Sequence, residues 1–200
     1  MKDRFVELYQ QLITRPGADK LLAWLETTDF FEAPASTRFH LSRPGGLVEH
    51  SIHVYHRLHD LLVSERQNRE NEPFIELSDS EEETIAICGL LHDICKANFY
   101  AVEMRNRKNE QGQWEKYPFY VVNDQLPYGH GEKSVYIISG FMKLTREEAM
   151  AIRWHMGFSD NDFRAGGFSV GIAFEKFPLA LLTHMADLQA TYLDEPREDA

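Results

Sequence analysis

Apolar positions along the chain recur mostly at spacings of three and four, the period of helices that bury one face. Phe5, Leu8, Tyr9, Leu12 and Ile13 form one stripe, and Leu21, Leu22, Trp24 and Leu25 form another after a break at Pro16-Gly17. Both read as packing helices. Residues 27–46 lose the period and carry Pro34, Pro44, Gly45 and Gly46, so they read as an irregular connection bearing His40 and Arg43. The next helix is predicted over about 46–66, with Leu47, Val54, Leu58 and Leu61 on the face of His50. His50, His53, His56 and His59 resemble a metal stripe, but each three-residue step falls back by about 60° on a helix, which turns His59 away from His50. At most two of them share a site. His50 is the buried candidate, and the other three read as solvated or rim residues.

A polar stretch, 67–73, precedes Ser80-Glu81-Glu82-Glu83, which reads as a capping box opening a central helix. Residues 99–107 and 114–122 are rich in aromatic and β-branched side chains and flank the turn-like Lys108-Asn109-Glu110-Gln111-Gly112, which predicts a β-hairpin inserted over 99–123. A helix over about 131–143 follows, then one capped by Thr145-Arg146-Glu147-Glu148 and ending at Trp154-His155-Met156-Gly157. The glycine-rich stretch 157–173, with Phe158, Phe163, Arg164 and Phe168, reads as a surface loop or a lid. A last helix, about 174–193, sets Leu181, Met185, Leu188 and Tyr192 on one side and Asp187 among Ala180, Thr183, His184, Ala190 and Thr191 on another. The expected fold is all-α with one small hairpin, in a single domain spanning 1–200 whose first 39 residues pack on the core.

The central helix holds an anomaly. Within Ile85–Lys96, Ile87, Leu90, Leu91 and Ile94 make the apolar stripe, while His92, Asp93 and Lys96 share the opposite face. An ionised carboxylate in apolar surroundings needs a cation or strong donors, or it takes up a proton, and an adjacent imidazole makes a metal ion one such cation. A core histidine hydrogen-bonded to its neighbours is the other reading of this stretch.

Charge narrows the partners. Lys and Arg number 21 against 32 Asp and Glu, a formal charge of −11, so long nucleic acid and acidic membranes are poor partners, although a local metal or basic pocket can still capture one phosphate. Cys88 and Cys95, about 10 Å apart on a helix, cannot pair there. With no signal-like N-terminus and no apolar run near ~18 residues, the expected setting is the reducing cytoplasm. Gly129-His130-Gly131-Glu132-Lys133-Ser134 is not a phosphate loop, because Glu132 separates the glycine from the lysine and no strand precedes it.

His50, His92-Asp93 and Asp187 each leave a different predicted helix where a packing residue would serve better. Two imidazoles and two carboxylates suit Mn²⁺, Fe²⁺, Co²⁺, Ni²⁺ or Mg²⁺ better than the thiolate sites of structural zinc do. The order His, His-Asp, Asp in a helical chain resembles the HD superfamily of metal-dependent phosphohydrolases, over about His40 to Tyr192. The motifs are Gly45-Gly46-Leu47-Val48-Glu49-His50-Ser51, Leu90-Leu91-His92-Asp93-Ile94-Cys95-Lys96 and His184-Met185-Ala186-Asp187. The resemblance implies an HD-type helical bundle in which His50, His92, Asp93 and Asp187 hold a first divalent ion. Members with two metals, the HD-GYP phosphodiesterases and the HD-type 3′-to-5′ exoribonucleases, add histidines before the last Asp. Gly129-His130 and Trp154-His155-Met156-Gly157 resemble those positions, with Asp93 as bridge, which implies one or two ions per chain. The chain departs from the family pattern at Cys95, lacks a GYP motif, and carries the hairpin outside the common core.

The resemblance further implies a hydrolase with Asp93 and Lys96 as catalytic residues, Lys96 offsetting charge on phosphoryl oxygens. His40, Arg43, Lys96, Phe99 and Tyr100 are candidate substrate contacts. The family acts on nucleotides, cyclic dinucleotides and RNA ends, and −11 favours a small phosphorylated substrate, a nucleotide or a short nucleic-acid end. Two rival readings remain: an HD domain that senses a nucleotide without turnover, and a structural protein whose His/Asp cluster is a satisfied polar core.

Overall fold

The computed structural model describes residues 1–160 and 166–195. Helices α1 (Lys2–Leu12) and α2 (Ala18–Leu25) bury Phe5, Leu8, Tyr9, Leu21, Leu22 and Leu25, the stripes their periodicity indicates. Residues 26–45 carry no regular element and lead into α3 (Gly46–Glu70). This helix runs past the expected end at 66, because Glu65 pairs with Arg69 at 3.2 Å and Arg66 with Glu70 at 2.8 Å across one turn. It closes only at Asn71, in the left-handed conformation at φ 54°.

Helix α4 (Asp79–Leu91) is capped by Ser78 and not by Ser80. The Ser78 hydroxyl accepts from the Glu81 amide, and the Glu81 carboxylate accepts from the Ser78 amide at 2.9 Å. Glu83, which a Ser80 box would need, is instead drawn to Arg15 at 3.0 Å. The helix also ends earlier than its apolar pattern implies. Leu91 is the last residue of the helix and His92 its cap, Asp93 turns away at φ −105° and ψ 17°, and Ile94–Lys96 form a single tight turn. Such a turn nearly eclipses residues three apart. It therefore brings Asp93 and Lys96 side by side, where a continuing helix would have stacked them one turn apart.

Strands β1 (Tyr100–Lys108) and β2 (Trp114–Val122) pair antiparallel, from Tyr100 opposite Val122 to Lys108 opposite Trp114. They make a projecting ribbon held by cations over rings, Arg105 over Phe119 at 3.7 Å and Arg107 over Tyr117 at 4.9 Å. Helices α5 (His130–Ser139) and α6 (Arg146–Trp154) follow, then a short turn at Gly157–Ser159. The expected last helix is two. Helix α7 (Ser169–Lys176) takes in part of the predicted loop, and α8 (Pro178–Gln189) begins with Pro178 in its first turn. Phe177, extended at φ −133° and ψ 83°, breaks them because a residue before proline disfavours helical geometry. Phe163 and Arg164 lie outside the described residues.

Helix α3 is packed between α4 and α8, and α6 packs on α5 and α8. Gly89 allows α4 to cross α3 closely, since a Cβ there would overlap the backbone of Tyr55. Asp187 faces this interior, so the apolar stripe of α8 becomes its outer face, with Leu188 42% exposed and Tyr192, beyond its end, 69% exposed. The architecture is thus mostly helical with one two-stranded sheet. Among the described residues no helix is long and apolar enough to cross a membrane.

One buried ion network ties the N-terminal segment to this core. The Arg15 guanidinium donates to both oxygens of Glu148 at 2.8 Å and to Glu83, while Thr84 and the Thr145 amide also donate to Glu148. Burial pushes the Glu148 carboxyl up, but these donors outweigh it and hold the group below its ordinary 4.5. A depressed folded value means stability that is fully present above about pH 4.5 and lost as pH falls further. Glu148→Ala is expected to cost about 1–3 kcal/mol near pH 7, because it leaves Arg15 with Glu83 alone and removes the acceptor of Thr84 and the Thr145 amide. In urea melts the loss should shrink on the acid side, where the wild-type carboxylate is itself protonated.

Candidate metal centre

Five helix ends and faces converge on Asp93. Helix α3 supplies His50, the end of α4 supplies His92 and Asp93, α5 opens with His130, α6 closes on His155, and α8 supplies Asp187. His50, His92, Asp93 and His155 are buried, and His130 and Asp187 are partly so. The two oxygens of Asp93 face different groups. Oδ2 lies 3.5 Å from His92 Nε2 and 3.8 Å from His50 Nε2, whose nitrogen also lies 3.2 Å from Asp187 Oδ1. Oδ1 lies 2.6 Å from His130 Nε2 and 3.5 Å from His155 Nε2. Within each of the sets His50-His92-Asp93 and Asp93-His130-His155, one donor atom per residue falls within 4.8 Å of the others.

Local structure aims the rings. His92 and His155 each end a helix, where carbonyls lack helical donors, and each ring donates from Nδ1 to the carbonyl three residues back: Gly89 at 2.8 Å and Ile152 at 2.6 Å. The His155 carbonyl in turn accepts from His184 Nδ1 at 2.6 Å. His50 Nδ1 faces the Glu195 carboxylate at 3.1 Å. With the proton on Nδ1, Nε2 points inward on all three rings; on His92 and His155 it offers a lone pair, and on His50 it does so once an ion displaces the second proton. His130 is held otherwise, with Nδ1 3.4 Å from Cys95 Sγ.

This donor set fits a divalent cation. His155 Nε2 is buried and has no hydrogen-bond partner among the described residues, while His50 and His92 present their Nε2 atoms to each other at 3.3 Å. Burial pulls His50 down, but Asp187 and Glu195 raise it to about 10, so in the protein alone a proton supplies the positive charge between those carboxylates. Burial also works against ionised Asp93, yet Lys96, His92 and His130 hold it well below the carboxylate range. Burial opposes ionised Asp187 as well, but His50 holds it below the carboxylate range, so both aspartates are ready ligands.

A cavity of about 600 Å³ opens beside the cluster, and its walls include His40, His50, Asp93, Lys96, Asp187 and Glu195. Lys96 Nζ lies 2.6 Å from Asp93 Oδ2 and donates to the Ala35 carbonyl at 2.7 Å, so it has partners in the protein itself. His40 is held neutral, its pKa lowered to about 4 by burial first and then by His50 and Lys96, and its buried Nε2 makes no hydrogen bond to a described residue. Arg43 pairs with Glu49 at 2.7 Å. Tyr100 donates to Ala35 at 3.3 Å, and Phe99 stacks edge-on against it under Lys133. These three do not line the cavity. Among the rim histidines, His56 is exposed, His59 lies 3.3 Å from Glu82, and His53 turns inward to Glu195 at 2.7 Å. Glu195 escapes a reading of the sequence; its only signal is a place eight residues after Asp187, beyond the expected helix end.

Residues 47–194 match the family model described as HD domain. The match contains Asp93 and the five residues gathered around it and stops one short of Glu195. No curated protein and no solved structure matches the chain significantly.

Proposed function

The chain belongs to the HD domain family, and on that premise we propose that it is a metal-dependent phosphohydrolase acting on a nucleotide or the end of a short nucleic acid. The observation that carries this reading is the buried His155 Nε2, aimed at Asp93 and lacking a hydrogen bond among the described residues. It meets Asp93 by charge alone at 3.5 Å, and a satisfied polar core would have closed that gap to a hydrogen bond. His50, His92, Asp93 and Asp187 would hold one ion, and Asp93, His130 and His155 a second. When bound, a divalent ion lowers the pKa of a coordinated water and polarises phosphoryl oxygens.

The chain's own residues do the rest. Lys96, on the cavity wall beside Asp93, places a fixed cation where phosphoryl oxygens gain charge in the transition state. His40, also on the cavity wall, would offer the substrate a neutral imidazole. The cavity, about 600 Å³, falls in the range of small-molecule sites, and the charge of −11 disfavours a long polyanion.

The test is a panel of nucleotides and short oligonucleotides incubated with chelated protein, with and without added Mn²⁺. Product release from at least one substrate only with metal is expected. Nucleotide binding with no product under any metal would favour the sensing role instead. His130→Ala and His155→Ala are each expected to lower the bound ions from about two to about one per chain, counted by metal analysis, because each removes one of three ligands at the second position. Wild-type protein saturating at one ion would remove the second site.

A further inference from the structure

Glu195 lies past the family match, yet its carboxylate is fully buried and surrounded by imidazoles. Both its oxygens lie 3.1 Å from His50 Nδ1, Oε1 lies 2.7 Å from His53 Nδ1, and Oε2 lies 3.8 Å from His40 Nε2. We infer that Glu195 is the positioning residue of the metal centre, holding the His50 ring with its proton on Nδ1 and the lone pair of Nε2 turned toward Asp93, His92 and Asp187. The inference rests on the metal reading above and adds a residue that reading does not require.

The backbone is shaped for this contact. At about 100° per residue a regular helix would leave Glu195 roughly 80° round from Asp187. The chain instead widens into a π turn over Ala190–Asp194, closed by the Glu195 amide on the Ala190 carbonyl at 3.1 Å. A five-residue step winds less per residue and swings Glu195 back to the Asp187 side; such turns concentrate at functional sites. On α3, His50, His53 and Arg57 share one face at i, i+3 and i+7. Asp194 pairs with Arg57 at 2.8 Å, and Glu195 takes the two histidines, so the turn is fastened along the ligand's own helix.

A carboxylate accepting from Nδ1 fixes the tautomer and raises the basicity of Nε2, and loss of such a partner typically weakens metal binding by about 10–100-fold. A direct ligand role is the competing geometry, since His40, His50 and Glu195 also place donor atoms within 4.8 Å. It would require His50 to bind ions through both nitrogens.

The chelated 200-residue chain titrated with Co²⁺, followed by visible absorption, tests the assignment. Glu195→Ala is expected to weaken Co²⁺ binding by about 10–100-fold and shift the absorption bands as the ring is released. Glu195→Gln, which keeps shape and one acceptor oxygen, should give a smaller loss. His53→Ala, which removes another partner of the same carboxylate but leaves it on His50, should weaken affinity by less than Glu195→Ala does. Full affinity and an unaltered spectrum in both Glu195 variants, with only a lower melting temperature, would make the residue structural and overturn the assignment. Loss of a whole ion from the stoichiometry would make it a ligand, with the same result. Wild-type protein that binds no Co²⁺ overturns the metal centre itself, and the assignment with it.

Discussion

Asp93→Ala is expected to empty the centre completely, weakening divalent-metal binding by more than the ~100-fold seen when only an outer partner is lost. Among the described residues Asp93 alone faces both groups of nitrogens, Oδ2 toward His50 and His92 and Oδ1 toward His130 and His155. Its removal therefore takes a ligand from each position at once. The fold should survive. Lys96 keeps the Ala35 carbonyl and faces the cavity, so the loss should stay below the ~3–5 kcal/mol of a broken, fully enclosed pair. Metal analysis and a thermal melt of the chelated variant check both halves. A folded variant with full metal content would contradict the bridging role.

Lys96→Ala should leave metal content intact while lowering turnover by about 10²–10³-fold, the range for losing one donor to a developing oxyanion. The structure sharpens this expectation. Lys96 needs no bound phosphate to explain its burial, because its ammonium already lies 2.6 Å from Asp93. Removing it takes a cation from the edge of the site, so metal affinity should hold or rise. An interaction that strengthens toward the transition state shows mainly in kcat, with KM moving less. Reduced ligand affinity without any turnover to lose would indicate a sensor. Unchanged turnover would remove Lys96 from the chemistry.

Much of this arrangement is legible in the sequence because it rests on local rules. The helical period locates α1, α2, α3 and α4, and the aromatic, β-branched runs around Gly112 place the hairpin within a residue of its observed strands. His92 and His155 are also local events, since each ring closes on the carbonyl three residues back at a helix end. What escapes depends on partners far along the chain. Ser78 caps α4 because Glu83 is taken by Arg15, 68 residues away. The ion pair of Lys96 appears only once the helix stops at Leu91 and tightens. The break before Pro178 follows a sequence rule that the apolar stripe of Leu181, Met185 and Leu188 masks, and that stripe marks the outer face because Asp187 claims the inner one. Glu195 depends on a π turn, a register shift that no periodicity announces.

The central claim is that the buried histidines and aspartates form a metal site and not a closed polar core. Calorimetric titration of exhaustively chelated wild-type protein with Mn²⁺ tests it most directly. The account predicts saturable binding of about two ions per chain, with a melting temperature that climbs as metal is added, because an ion that binds only the folded chain stabilises it by mass action. No binding heat and an unmoved melting temperature at saturating Mn²⁺ would contradict it.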